Sequence, residues 1–142
     1  MDLFSHIAFS LINSGEEEKV KKLVDKDIQE HGRSTILTLK HQNRTPLLWA
    51  AHLGQTTLVE FLLSRGADSN AREKHNRTAL ICAADRGDLE TALCLIKHGA
   101  DLEAKENQFK STALNWAAWR KRPGVVKALV EAGAVIDAPN FT

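Results

Sequence analysis

Three stretches of this chain repeat one another in register. Arg44 to Asp68 reads RTPLLWAAHLGQTTLVEFLLSRGAD, Arg77 to Asp101 reads RTALICAADRGDLETALCLIKHGAD, and Ser111 to Val135 reads STALNWAAWRKRPGVVKALVEAGAV. The opening threonines stand at 45, 78 and 112 and the Gly-Ala pairs begin at 66, 99 and 133, so both landmarks recur after 33 and then 34 residues. Self-similarity at such a period constrains the fold more than any other feature. It requires small stacked units, none of which can bury its apolar face alone.

Each copy reads as two short helices. Thr45 offers a hydroxyl as N-cap and Pro46 occupies the first helical position, where no amide donor is needed. Ala50 and Ala51 are small enough for neighbouring helices to approach closely. Gly54 ends the first helix with positive φ, Leu58, Val59, Leu62 and Leu63 give the second its buried stripe, and Gly66 closes it. The next copy keeps the pattern with Ala79, Gly87, Leu89, Ala92, Leu93 and Ile96. The last departs twice. Lys121 stands where the others have glycine, so it must turn left-handed at some cost or alter the turn. Pro123 then starts the second helix, and one extra residue lies in the preceding segment KENQFKS.

The repeated stretch, opening with Thr-Pro-Leu or Thr-Ala-Leu, resembles the ankyrin repeat. That resemblance implies an all-α fold, an ankyrin-type helix-turn-helix repeat solenoid with β-turn fingers. Residues 1–142 then form a single ankyrin-repeat domain, divided into a degenerate N-terminal capping repeat plus longer loop (1–40), repeats at 41–73 and 74–107, and a final repeat at 108–142. In the first, Leu3, Phe4, Ile7 and Leu11 recur at helical spacing with Asp2 as N-cap, and Gly15 ends the helix. Glu16 to Glu18 open a second helix with Val20, Leu23 and Val24 as its stripe. A polar outer face is expected of such a cap. Asp27 aligns with Gly66, and eighteen steps separate it from Thr45 against twelve from Gly66 to Thr78, so about six extra residues are expected in a longer first finger or loop. Val126, Leu129 and Val130 belong to the last helix. The chain stops at Ala138–Thr142 as another finger would begin, which predicts either a longer array or a last face covered by a partner.

Composition narrows the classes. Nineteen Lys and Arg against eighteen Asp and Glu give +1, which recommends neither nucleic acid nor membrane as partner. No run of eighteen apolar residues exists, and MDLFSHIAFSLINSG lacks the basic leader and cleavage site of a signal peptide. Cys82 and Cys94 build no disulfide framework and read as free, buried thiols in a reducing compartment, cytoplasmic or nuclear. The six histidines form no metal-ligand spacing, and no nucleophile elbow, phosphate loop or dinucleotide fingerprint occurs. A non-enzymatic chain without cofactor or metal is expected.

Fold does not name a ligand, but the resemblance implies where one lies: against the fingers and first helices, which form a concave groove. Carried over, the finger tips are His41-Gln42-Asn43-Arg44, Lys74-His75-Asn76-Arg77 and Gln108-Phe109-Lys110-Ser111. The exposed ends of the first helices are His52 and Leu53, Asp85 and Arg86, and Trp119 and Arg120. Trp49, Cys82 and Trp116 share one repeat position, each three residues before His52, Asp85 or Trp119, and positions three apart share a helix face. A groove with an aromatic floor and a basic rim follows, suited to an acidic or mixed hydrophobic peptide. Its expected contacts are Gln42, Arg44, Trp49, His52, Leu53, His75, Arg77, Asp85, Arg86, Phe109, Trp116, Trp119 and Arg120. For Trp49 and Trp116, packing between adjacent helices stays open beside the groove; Trp119 is read as exposed, and Phe109 either contacts a partner or tucks under the insertion. Asn70 sits at a spacing similar to ankyrin asparagines that become hydroxylated, although Ser69 replaces the usual preceding aliphatic. The chain is expected to be monomeric unless the C-terminal face pairs. Two rival functions stand: a regulatory or targeting segment of a larger enzyme or effector, and nucleic-acid binding through Arg44, Arg77, Arg86, Arg120 and Lys121.

Overall fold

The structure is a computed structural model that describes residues 3–136; Asp2 and the Ala138–Thr142 end lie outside the described residues. Among those residues there are eight α-helices, two 3-10 turns and no strand, only two isolated β-bridges at the fingers. The chain divides into two compact units, Met1–Asp68 and Ser69–Thr142.

The first unit pairs α1 (Leu3–Asn13) with α2 (Glu17–His31), and α3 (Pro46–His52) with α4 (Thr56–Ser64). Helix α1 corrects two expectations. It buries Ser5, Ala8, Phe9 and Ile12, while Leu3 is 75% exposed and Phe4 and Ile7 are also exposed. Both faces are apolar, so helical spacing could not choose between them, and the outer face is not polar. Helix α2 corrects a third. It is fifteen residues long against nine for α4, so the extra residues extend the helix before they extend the loop. Gly32, at φ 76°, caps it by donating its amide to the Ile28 carbonyl.

Asp27 therefore lies inside α2 and not at its end. It is buried, and its Oδ2 accepts from the amides of Thr35 (2.6 Å) and Ile36 (3.3 Å) and from the hydroxyls of Ser34 and Thr35 (both 3.1 Å). Burial alone would raise this carboxyl. The four hydrogen bonds to its ionised form outweigh burial and hold it below the ordinary aspartate range. They also stitch the loop to the helix, which sets the buried side chains of Ile36 and Leu37 into the core. In the second pair, Thr45 Oγ1 accepts from the Leu48 amide at 3.4 Å, Pro46 opens α3, and Leu58, Val59, Leu62 and Leu63 are buried as the repeat pattern predicts.

The second unit pairs α5 (Ala79–Arg86) with α6 (Leu89–Lys97), and α7 (Ala113–Trp119) with α8 (Pro123–Glu131). Thr78 Oγ1 caps α5 by accepting from Ile81 N at 3.2 Å. Thr112 caps α7 through a reciprocal box, because Asn115 Oδ1 also accepts from the Thr112 amide. Ala83, Ala84, Ala113 and Ala117 are all buried, small side chains that let α5 and α7 pack against one another. The stripe expected of α6 is corrected. Thr91, Ala92, Cys94 and Leu95 are buried, whereas Leu89 and Leu93 are exposed. Thr91 takes the core position of Leu58 because its hydroxyl donates to Asp88 Oδ2 at 2.8 Å and so enters the interior satisfied. Lys121 does adopt the left-handed conformation, at φ 57°, and Pro123 begins α8 as expected. Val125, Ala128 and Leu129 are buried there, while Val130 faces outward.

Candidate functional site

Aromatic and basic side chains gather in each unit around the tryptophan of the first-helix row. In the second unit the cluster starts with the finger. Glu106 is 1% exposed, and its carboxylate accepts from the amides of Gln108 (2.6 Å), Phe109 (3.1 Å) and Ser111 (3.1 Å). One carboxyl group collecting three backbone amides is a strong local clamp. It folds the segment that carries the extra residue into a closed loop, with Lys110 at φ 54°. That loop sets Phe109 edge-on against Trp116 at 5.8 Å and against Trp119 at 6.0 Å.

The two indoles lie 5.0 Å apart, as three-residue spacing on α7 predicts, but their exposure differs. Trp116 is 5% exposed and forms the floor; Trp119 is 50% exposed. Two guanidinium groups cover them. Arg77 stacks on Trp116 with its Cζ 5.2 Å from the ring centroid, and Arg120 lies 5.7 Å from Trp116 and 5.1 Å from Trp119. Both arginines are fixed by one acid: Arg77 Nη2 donates to Asp85 Oδ2 at 3.0 Å and Arg120 Nε donates to Asp85 Oδ1 at 2.6 Å. Arg122 Nε donates to the Asp85 backbone carbonyl at 3.4 Å. Gly87 makes room for this, since a Cβ there would come within 2.6 Å of Arg122 Cδ. Below the network Cys82 donates its thiol to the buried Glu73 carboxylate at 3.2 Å. Burial, with Glu73 adding to it, pushes the Cys82 thiol up to about 12, so it stays protonated and unreactive.

In the first unit Trp49 is half-buried, and its indole N–H donates to the His41 carbonyl at 3.0 Å. The His41 ring stacks on Trp49 at 5.8 Å and meets Phe9 at 5.4 Å, and Arg44 covers Trp49 at 5.2 Å. A cavity of about 360 Å³ opens beside them, lined by His6, Phe9, Ser10, Asn13, His41, Gln42 and Trp49. Gln42 and Asn43, both at positive φ, form the tight turn between the bridged His41 and Arg44.

Of the residues expected from sequence, Arg77, Asp85, Phe109, Trp116, Trp119 and Arg120 converge in the second unit, and Gln42, Arg44 and Trp49 in the first. His52 is half-buried and Leu53 exposed at the end of α3. His75 is an exposed tip whose carbonyl accepts from Asn107 N at 2.8 Å, and Arg86 is exposed at the end of α5. Asn70 is exposed, and its Oδ1 accepts from the Asp101 amide at 2.7 Å. Sequence reasoning missed Phe9, the cavity face of α1 and the organising role of Glu106.

Among the described residues no helix is long and apolar enough to cross a membrane. Comparison with curated proteins returns no significant match. A model of ankyrin repeats in three copies matches residues 69–140, and a model of the single ankyrin repeat matches residues 42–74. Such repeats generally serve as protein–protein interaction modules. The chain belongs to the ankyrin repeat family.

Proposed function

We propose that this chain is a non-enzymatic interaction module and that its Ser69–Thr142 unit holds a partner polypeptide against the Glu106 finger and the exposed ends of α5 and α7. The observation that carries this reading is Trp119: a large indole, 50% exposed, backed by Trp116, Phe109 and Arg120 instead of standing alone. A rigid, half-exposed tryptophan ringed by arginine is the composition of a binding hot spot, because it offers area without the entropy of a long stem. The first unit offers its own set, Gln42, Arg44, Trp49, His52 and Leu53. An acidic or mixed hydrophobic segment suits the basic rim of either. Nucleic acid suits it less, since a net charge of +1 supplies little of the basic excess that phosphate binding needs.

The test is peptide display selected on the whole chain, followed by rebinding to Trp119→Ala. Selected peptides are expected to lose ~1–3 kcal/mol while the melting temperature stays within about two degrees. Peptides that bind the variant as well as the parent would remove Trp119 from the site.

A further inference from the structure

Arg77, Arg120 and Arg122 all turn to one residue, Asp85, whose two carboxylate oxygens and backbone carbonyl serve one arginine each. The other nearby acid, Glu73, is buried and accepts from the Cys82 thiol. Two more donors, Trp116 Nε1 and Arg77 Nε, are buried and find no acceptor among the described residues. The fold can supply one at this repeat position: the indole of Trp49 donates to the His41 carbonyl of its own finger at 3.0 Å. In the last repeat the finger is closed on Glu106 instead, and the Trp116 donor is left without that partner.

A shared acceptor and unmet donors both point to a ligand that brings acceptor oxygens. We infer that Arg77, Arg120 and Trp116 form a carboxylate-binding site for an acidic side chain of the partner polypeptide, with Asp85 as its internal occupant. This rests on the polypeptide-binding reading above and adds to it the chemistry of one partner residue. The guanidinium faces are covered by indole, so recognition occurs through their N–H edges, the geometry that suits a planar carboxylate. An incoming carboxylate takes the Arg120 edge first, since Arg120 is the more exposed of the pair, with 48% of its side chain accessible against 25% for Arg77. Releasing Asp85 frees Arg77 to turn, which opens its Nε and the Trp116 N–H to the same ligand. The residue next to the acid then meets the exposed half of Trp119.

The experiment uses the full chain, ¹⁵N-labelled at tryptophan, and two capped peptides that alternate leucine with glutamate or with glutamine. The glutamate peptide is expected to move the Trp116 and Trp119 indole signals and to bind roughly tenfold tighter than the glutamine peptide. Asp85→Asn, which keeps the shape but removes the competing charge, should tighten the glutamate peptide by about tenfold again and leave the glutamine peptide unchanged. Arg120→Gln should erase the difference between the peptides; this variant decides alone if Asp85→Asn does not fold. The inference is overturned if Asp85→Asn leaves the glutamate peptide unaltered or weakens it, or if Arg120→Gln keeps the preference. Should both peptides shift Trp119 equally in every variant, the carboxylate site falls while polypeptide binding stands. Should neither peptide move any indole, the carboxylate site also falls, and polypeptide binding is judged by the Trp119→Ala selection.

Discussion

Trp116 and Trp119 touch across one turn of α7 with ring centroids 5.0 Å apart, yet one belongs to the interior and the other to the surface. Their substitution should separate the two roles. Trp116→Ala removes a ring that is 95% shielded and should cost about 3–5 kcal/mol of stability. Trp119→Ala should leave urea unfolding within roughly 0.5 kcal/mol of the parent. Equal losses for both would mean that the second indole is structural as well.

Asp27 makes the first unit sensitive to acid. Its folded carboxyl lies below the ordinary aspartate range, so the native state holds its charge more tightly than the unfolded chain does. The resulting stability is fully present above the unfolded value of about 3.9 and is lost as pH falls through the lower folded value. Asp27→Asn should therefore be less stable than the parent at neutral pH, and its stability should decline less steeply on acidification. Chemical unfolding at pH 7 and pH 3 reads both differences.

Lys121 spends conformational energy that glycine would not. At φ 57° it occupies the region where Gly54 and Gly87 stand in the other repeats. Lys121→Gly should stabilise the chain by about 0.5–1 kcal/mol, read as a rise in the denaturation midpoint without a change in slope.

The Cys82 thiol should be silent toward a thiol-specific disulfide reagent at pH 8 while the protein is folded, since it is 3% exposed and pushed up to about 12. It should react once urea opens the second unit. Rapid labelling of the native protein, mapped to Cys82 by peptide mass, would contradict this.

Leu62 tests the repeat core. It is fully buried on α4, and Leu62→Ala should cost about 2–5 kcal/mol.

What could be read from the sequence is what short-range chemistry decides. Thr45, Thr78 and Thr112 cap helices because a hydroxyl reaches an amide three residues on, and that signature is visible in a string of letters. Lys121 was legible for the same reason, as a backbone position that its aligned glycines mark. The Trp116–Trp119 pair follows from helical spacing. Stripes failed where apolar residues surround a helix. On α1 the exposed Leu3, Phe4 and Ile7 match the period as well as the buried Ala8, Phe9 and Ile12 do. On α6, hydrophobicity ranks Leu93 above Thr91, but burial follows the repeat position and the satisfied hydroxyl. Asp27 and Glu106 were beyond reach because only the folded loop brings several amides to one carboxylate. The Arg120 half of the Arg77–Asp85–Arg120 bridge was out of reach too, since Arg120 is far from Asp85 in sequence and meets it only when α5 packs on α7.

The closed loop at Glu106 has one more consequence. Gln108 enters it through its main chain alone, and Lys110 contributes a backbone angle. The Gln108 side chain can therefore change without disturbing the reach of Phe109 toward the tryptophans, whereas the left-handed angle at Lys110 restricts which residues fit there. The unit thus keeps a fixed aromatic ring beside a tip residue whose identity is open.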